Sequence, residues 1–209
     1  MKRKTQEKLK AKSARYFDLV AEREEIIPEP VKCYEYVLGK LTGMNGGALA
    51  DIGCGTGNRL AFIHDQFGDR YSLYGIDLSP ESLKRAEALC GSFAQLSVGD
   101  VEALPYEDGT FDLLLCMHSF HHYPRPLLSL QEMRRVLKPG GTLLLVENDY
   151  PPMFRRKTNL KQFLLRYPGG DIRMYSRKRL YALARKAGFT GPEPVHIAHH
   201  SQLLELHRP

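Results

Sequence analysis

Residues Leu49 to Asn58 read Leu-Ala-Asp-Ile-Gly-Cys-Gly-Thr-Gly-Asn, an apolar run joined to a helix-like segment through three glycines. Few folds accept that arrangement, which predicts a strand, a glycine turn and then a helix. Gly53, Gly55 and Gly57 let the backbone take positive φ angles and let a ligand approach the main chain without meeting a Cβ atom. The helix behind them presents unpaired N–H groups that suit a carboxylate or phosphate. A glycine triplet alone serves packing equally well, so a second feature has to decide. Leu73 to Asp77 is a further apolar strand, and it ends in an acid twenty residues after Gly57. That spacing sets Asp77 beside the turn, where a carboxylate takes both hydroxyls of a ribose. Together the two stretches imply a nucleoside-containing cofactor.

The rest of the chain supplies an α/β frame for this turn. Strands are predicted at Ala48–Ile52, Tyr71–Ile76, Ala94–Val98, Phe111–Met117 and Thr142–Glu147, with helices at Asn58–Gln66, Ser79–Cys90 and Pro124–Leu137 between them. Alternation with short links argues a parallel sheet built from right-handed crossovers. Ser79-Pro80 is a strong helix start, a side-chain cap followed by proline at the first helical position. Ahead of this frame, Thr5–Glu25 and Val31–Gly43 read as two helices separated by Pro28 and Pro30, so that 1–45 is a helical cap and 46–209 the main domain. Regular alternation stops between 148 and 175, where Tyr150, Pro151, Pro152, Phe154, Arg155, Arg156, Lys157, Phe163 and Tyr167 mix. That stretch is expected as a lid-like insertion over the site. Ser176–Gly188 is a last helix, and Val195–Ala198 with Gln202–His207 read as a terminal hairpin.

Four ordered motifs resemble the class I S-adenosylmethionine-dependent methyltransferases, in particular the small-molecule branch that includes the ubiquinone and menaquinone biosynthesis enzymes. These are Asp51-Ile-Gly-Cys-Gly-Thr-Gly, Gly75-Ile-Asp-Leu-Ser, the acidic stretch from Gly99 to Asp112, and Leu137-Lys-Pro-Gly-Gly-Thr-Leu. The likeness runs from about Tyr16 to Phe189. It implies a Rossmann-like three-layer sandwich, with a seven-stranded, mostly parallel sheet ending in an antiparallel hairpin. It also implies S-adenosylmethionine as cofactor. Backbone groups of Gly53, Gly55 and Cys116 would then hold the methionine portion, with Asp51 beneath the turn orienting it, and Cys54 and Gly57 would also belong to the cofactor site. Asp77 would hold the ribose, Leu78 would pack on the adenine, and Asp100 with the backbone of Val101 would meet the adenine edge. Tyr16 belongs to an aromatic segment that folds over the cofactor in similar enzymes. A nicotinamide dehydrogenase accounts for the first two motifs but gives no reason for the other two.

His118-Ser-Phe-His-His-Tyr-Pro follows the fourth strand, where a histidine-containing run lines the site near the transferred methyl in many small-molecule members. His121 and His122 are the candidate bases, with His121 preferred. Adjacent histidines converge poorly and no carboxylate joins them in sequence, so no metal site is expected. Cys33, Cys54, Cys90 and Cys116 are scattered without a C-x-x-C pair and read as small apolar fillers.

Charge is uneven. Residues 1–15 carry seven basic and one acidic side chains, 16–150 eleven and twenty, and 151–209 twelve and three. The first ten residues, with Glu102, Glu107 and Asp108, are expected to be solvated. At least one of Arg155, Arg156, Lys157 and Arg173 is expected to face an anionic or polar small-molecule acceptor, the alternative being a solvated loop surface. An RNA or protein methyltransferase using the basic C-terminal third is the rival function. Against it, the fourth strand lacks the Asn/Asp-Pro-Pro-Tyr/Phe ending of base-modifying members. A cofactor-binding protein without transfer activity is a third possibility. No apolar run approaches the roughly 20 residues that span a membrane, and the basic start lacks a signal-peptide core, so the expected location is cytoplasmic.

Overall fold

The computed structural model describes residues 3–22, 31–165, 172–197 and 200–209. Helices α1 (Arg3–Glu22) and α2 (Val31–Thr42) precede the sheet. The frame then runs β1 (Gly47–Ile52), α3 (Asn58–Phe67), β2 (Tyr71–Asp77), α4 (Pro80–Cys90), β3 (Ala94–Val98), β4 (Phe111–Met117), α5 (Pro126–Val136) and β5 (Leu137–Asn148). Helices α6 (Pro152–Leu165) and α7 (Arg177–Lys186) and strands β6 (Val195–Ile197) and β7 (Ser201–His207) complete it. The breaks expected at Pro28 and Pro30, together with Tyr167 and Ala198, fall outside the described residues.

One seven-stranded sheet has the order β3-β2-β1-β4-β5-β7-β6. Strands β1 to β5 pair in parallel, and β7 runs antiparallel to both β5 and β6. Central strands buried on both faces must be apolar throughout, and β4 shows why this sheet carries two helical layers. Its Leu114 and Cys116 pack with Leu130 and Met133 of α5 and Leu180 and Ala184 of α7. Leu113, Leu115 and Met117 turn the other way, toward Val37 of α2, Leu60 of α3 and Leu83 of α4. The chain winds outward from β1 to β3, then crosses back to β4 on the other side of β1. Such a reversal opens a crevice at the carboxyl ends of the two strands.

Three boundaries differ from the sequence expectation. Residues 152–165 form a helix instead of irregular chain, because Pro152 fits the first helical position and the segment is rich in long unbranched side chains that favour helix. Its described apolar residues Met153, Phe154 and Leu160 are exposed and form no inward stripe, which is why periodicity missed it. Helix α5 starts at Pro126 because Phe120–His122 is a short 3-10 helix. Strand β5 starts at Leu137, which pairs with Phe111 before a register shift to the Leu113–Thr142 pair.

All four cysteines are buried free thiols. Burial pushes Cys90 up to about 11 and Cys116 up to about 12, so both stay protonated at neutral pH as small fillers.

Candidate active site

The crevice between β1 and β4 opens into a cavity of about 1070 Å³, with α1 across it. Its floor is the glycine turn. The N–H groups of Gly53 and Cys54 both donate to the carbonyl of Ile76, at 2.8 and 3.1 Å, which ties the turn to β2. Gly53 has φ 78°, and a Cβ there would stand 2.7 Å from Ser119 Cβ; at Gly55, φ 55°, nothing lies within 4 Å of that place. The first glycine is required by close approach, whereas the second leaves open space facing the cavity. Gly57 is also required by close approach, but away from the cavity: a Cβ on it would strike Cys90 Sγ at 2.8 Å and Ala86 Cβ at 3.0 Å. It packs α3 against α4 and lies behind the wall.

Asp77 stands beside the turn as its spacing predicts. Its carboxylate accepts from the N–H of Gly55 and of Ser79, each at 2.9 Å. Burial raises the Asp77 carboxyl above the usual carboxylate value, and these backbone bonds work against that rise. Each carboxylate oxygen keeps acceptor capacity after one such bond, so the group remains able to take ribose hydroxyls. Leu78, Asp100 and Val101 continue the same wall.

Asp51 is fully buried behind the turn and is held by Arg59, whose Nε donates to Asp51 Oδ2 at 2.9 Å and whose Nη2 donates to the Gly53 carbonyl at 2.7 Å. The role expected of Asp51 is thus indirect. It fixes Arg59, and Arg59 fixes the turn. Cys116 is likewise behind the wall, with Sγ 3.3 Å from Ser119 Oγ, and the chain leaving β4 first reaches the cavity at Met117, His118 and Ser119. His118 takes φ 50°, a conformation in which histidine is tolerated better than most side chains. Ser119 Oγ donates to the Ile52 carbonyl at 3.0 Å, joining the ends of β4 and β1.

Helix α1 lines the cavity from Lys10 to Ala21. Phe17 lies edge-on to His122, with ring centroids 4.9 Å apart, and Tyr16 lines the cavity. Ser79 Oγ donates to Asp18 Oδ1 at 2.6 Å while accepting from Ser82 N as the cap of α4. Lys10 is buried, and its Nζ donates to Asp100 Oδ2 at 2.5 Å and pairs with Glu102. Burial alone would lower the Lys10 ammonium, but the two carboxylates outweigh it and hold it above its ordinary value. Glu102 is also buried and takes Arg125 Nε at 2.6 Å. The expectation of solvated charges at Lys10 and Glu102 is therefore overturned, because each satisfies the other. Glu107 and Asp108 are exposed.

His121 and His122 both line the cavity. His121 Nδ1 lies 3.0 Å from each oxygen of Glu147, a carboxylate with no exposure at the end of β5. Burial would raise the Glu147 carboxyl; His121, with His118 and His122 nearby, holds it below its ordinary value. An ionised Glu147 fixes Nδ1 of His121 as the protonated nitrogen and leaves the lone pair on Nε2. Glu147 was not among the sequence candidates. Arg155, Arg156, Lys157 and Arg173 are not among the described residues that line the cavity.

The family description "Methyltransferase domain" matches residues 50–145, the stretch that builds this turn and its walls. Over that stretch the chain is similar to the class I S-adenosylmethionine-dependent methyltransferases. It is 29% identical over 178 residues to a demethylmenaquinone methyltransferase of Lactococcus lactis, covering 75% of this chain and 69% of that one. It is 31% identical over 127 residues to a 2-methyl-6-phytyl-1,4-hydroquinone methyltransferase of Synechocystis, covering 57% and 39%. The chain spans about half the length of demethylmenaquinone methyltransferases from Bacillus and Staphylococcus that it also matches. The fold agrees with that of a methyltransferase from Thermotoga maritima at a TM-score of 0.72 and 21% identity, covering 94% of this chain and 100% of that one.

S-adenosylmethionine is the cofactor of this methyltransferase, and the wall fits it: open space above Gly55, a carboxylate at Asp77 and an acid at Asp100. The cofactor supplies a methyl already activated on a sulfonium, which leaves the enzyme to position the reactants and exclude water. Asp77→Ala removes a charge-assisted hydrogen bond worth about 1.5–3 kcal/mol, so calorimetry should record a loss of cofactor affinity of roughly 10- to 150-fold. Undiminished binding would remove Asp77 from the ribose contact.

Proposed function

We propose that the enzyme methylates a small hydroquinone-type acceptor and that His121 receives the acceptor's proton. The observation that carries this is the His121–Glu147 pair, a neutral-capable base oriented by a buried carboxylate in the wall of the cofactor cavity. Single-ligand sites run to about 300–1,000 Å³, so the space suits donor and acceptor ring together. Phe17, Met117, His122 and Tyr150 give much of it an aromatic or apolar lining. The named relatives act on demethylmenaquinone and on a phytyl hydroquinone, which supports a phenolic ring.

Methyl transfer to such a ring releases one proton overall. Nε2 of His121 takes it from the ring hydroxyl, Glu147 stabilises the imidazolium that results, and the phenolate is the stronger nucleophile. Asp77 and the glycine turn hold the donor, while α1 closes over it and keeps water out. Alignment of the two reactants is worth up to about 7–11 kcal/mol, more than a base supplies.

The test is incubation with methyl-labelled S-adenosylmethionine and a panel of hydroquinones, catechols and amines, read by mass spectrometry. Label on a hydroquinone is the expected result. Turnover confined to amines would overturn the acceptor class.

A further inference from the structure

We propose that α6 is a membrane-surface helix, whose outward face docks the enzyme on an anionic lipid bilayer beside the mouth of the active site. Helical spacing divides its residues in two. Arg155, Thr158 and Asn159 share one side and are half-buried. That side is fastened to the body: Asn159 Nδ2 donates to the Met174 carbonyl at 3.1 Å, Asn159 Oδ1 accepts from Met174 N at 2.8 Å, and Arg155 Nη1 donates to the Tyr150 carbonyl at 2.9 Å. Met153, Arg156, Lys157 and Leu160, at i, i+3, i+4 and i+7, share the opposite side and are all exposed.

This inverts the usual surface helix, whose apolar stripe faces the core. Here a polar asparagine faces inward, while Met153 is 71% and Leu160 56% exposed, with Phe154 at the edge of the same face 53% exposed. Of nine exposed large hydrophobic residues among those described, three fall within these eight positions. Isolated exposed apolar residues need no explanation, but a cluster does. Pro152–Leu165 also carries four basic residues and no acidic one. Cations that reach phosphate headgroups, interleaved with side chains that enter the acyl boundary, are what an interfacial helix requires. RNA would engage the cations but has no use for Met153 and Leu160, so the bilayer is favoured.

Position adds the functional consequence. Tyr150 lines the cavity, and its ring centroid is 4.8 Å from that of Phe154, so the docking face adjoins the cavity mouth. An acceptor with an apolar tail could stay in the lipid while its ring enters the site. That consequence rests on the hydroquinone reading, whereas docking itself does not.

The experiment is flotation of the full chain with vesicles of phosphatidylcholine alone and of phosphatidylcholine mixed with phosphatidylglycerol. Binding is expected to the mixed vesicles only, reversed by high salt. Arg156→Ser combined with Lys157→Ser should lower the partition coefficient about thirty-fold, at about 1 kcal/mol per charge. Met153→Ser combined with Leu160→Ser should also weaken it. Unchanged cofactor affinity, measured by calorimetry, certifies the fold of each variant. No binding to the mixed vesicles, equal binding to neutral ones, or wild-type partition of the charge variant would overturn the proposal, as would binding to an RNA homopolymer without vesicle binding. Vesicle binding with no methylation of any hydroquinone would sustain docking and remove the acceptor class instead.

Discussion

His121→Asn is expected to lower kcat by about 10²- to 10⁴-fold, the range that a positioned general base supplies, with cofactor affinity unchanged. Asparagine is chosen over alanine because Glu147 is fully buried. Removing the imidazole whose Nδ1 lies 3.0 Å from both of its oxygens would take a donor from a buried carboxylate and risk the fold, whereas an amide still donates to it. Glu147→Gln should cost less activity and move the acid limb of the kcat profile to lower pH, because the carboxylate favours the protonated imidazole. The sign for stability follows from the depressed Glu147 carboxyl. Its stabilisation is present above the unfolded carboxylate range and is lost as pH falls through the lower folded value. His122→Ala, which removes a ring packed edge-on against Phe17, is expected to change kcat by only a few-fold. If the large loss followed His122 instead, the base would be its neighbour and the Glu147 pair would be structural.

Much of this arrangement is legible along the chain because local chemistry writes it there. A glycine turn needs glycines wherever it occurs, so residues 53–57 announce the strand, the turn and the helix together. Asp77 follows from the length of one βαβ unit. What stayed hidden is the third dimension. Lys10 sits in a run of basic residues that reads as a solvated tail, and Glu102 in an acidic loop that reads the same way. Only folding α1 across the sheet brings the two together and removes both from water. Glu147 was visible as the last residue of an apolar strand, yet nothing local links it to His121, twenty-six residues earlier. The parallel pairing of β4 with β5 supplies that link. Gly57, Asp51 and Cys116 belong to motifs around the cofactor but act from behind the wall, a distinction that spacing does not encode. Helix α6 escaped because an outward apolar face carries no core-facing period.

Arg59→Met is expected to be the most destabilising single change, at about 3–5 kcal/mol. Asp51 has no exposure and Arg59 only 7%, so removing the guanidinium strands a buried carboxylate. The pair is unusual in its setting. Arg59 lies in the first turn of α3, where the helix dipole disfavours a cation, and Gly57 before it offers no side-chain cap. Asp51 must therefore offset both the desolvation of the arginine and its place on the helix. For a chain of this size, about 2–4 °C of Tm per kcal/mol gives a drop of roughly 6–20 °C in a thermal melt. Arg59 also holds the Gly53 carbonyl, so the surviving folded protein should bind cofactor more weakly. Asp51→Asn combined with Arg59→Met should recover a large part of the lost Tm, because no buried charge is then left alone, while cofactor affinity stays low. A melt within a degree or two of wild type for the single variant would mean that water reaches Asp51 once the arginine is gone. Recovery of affinity along with Tm in the double variant would mean that the turn keeps its shape without Arg59.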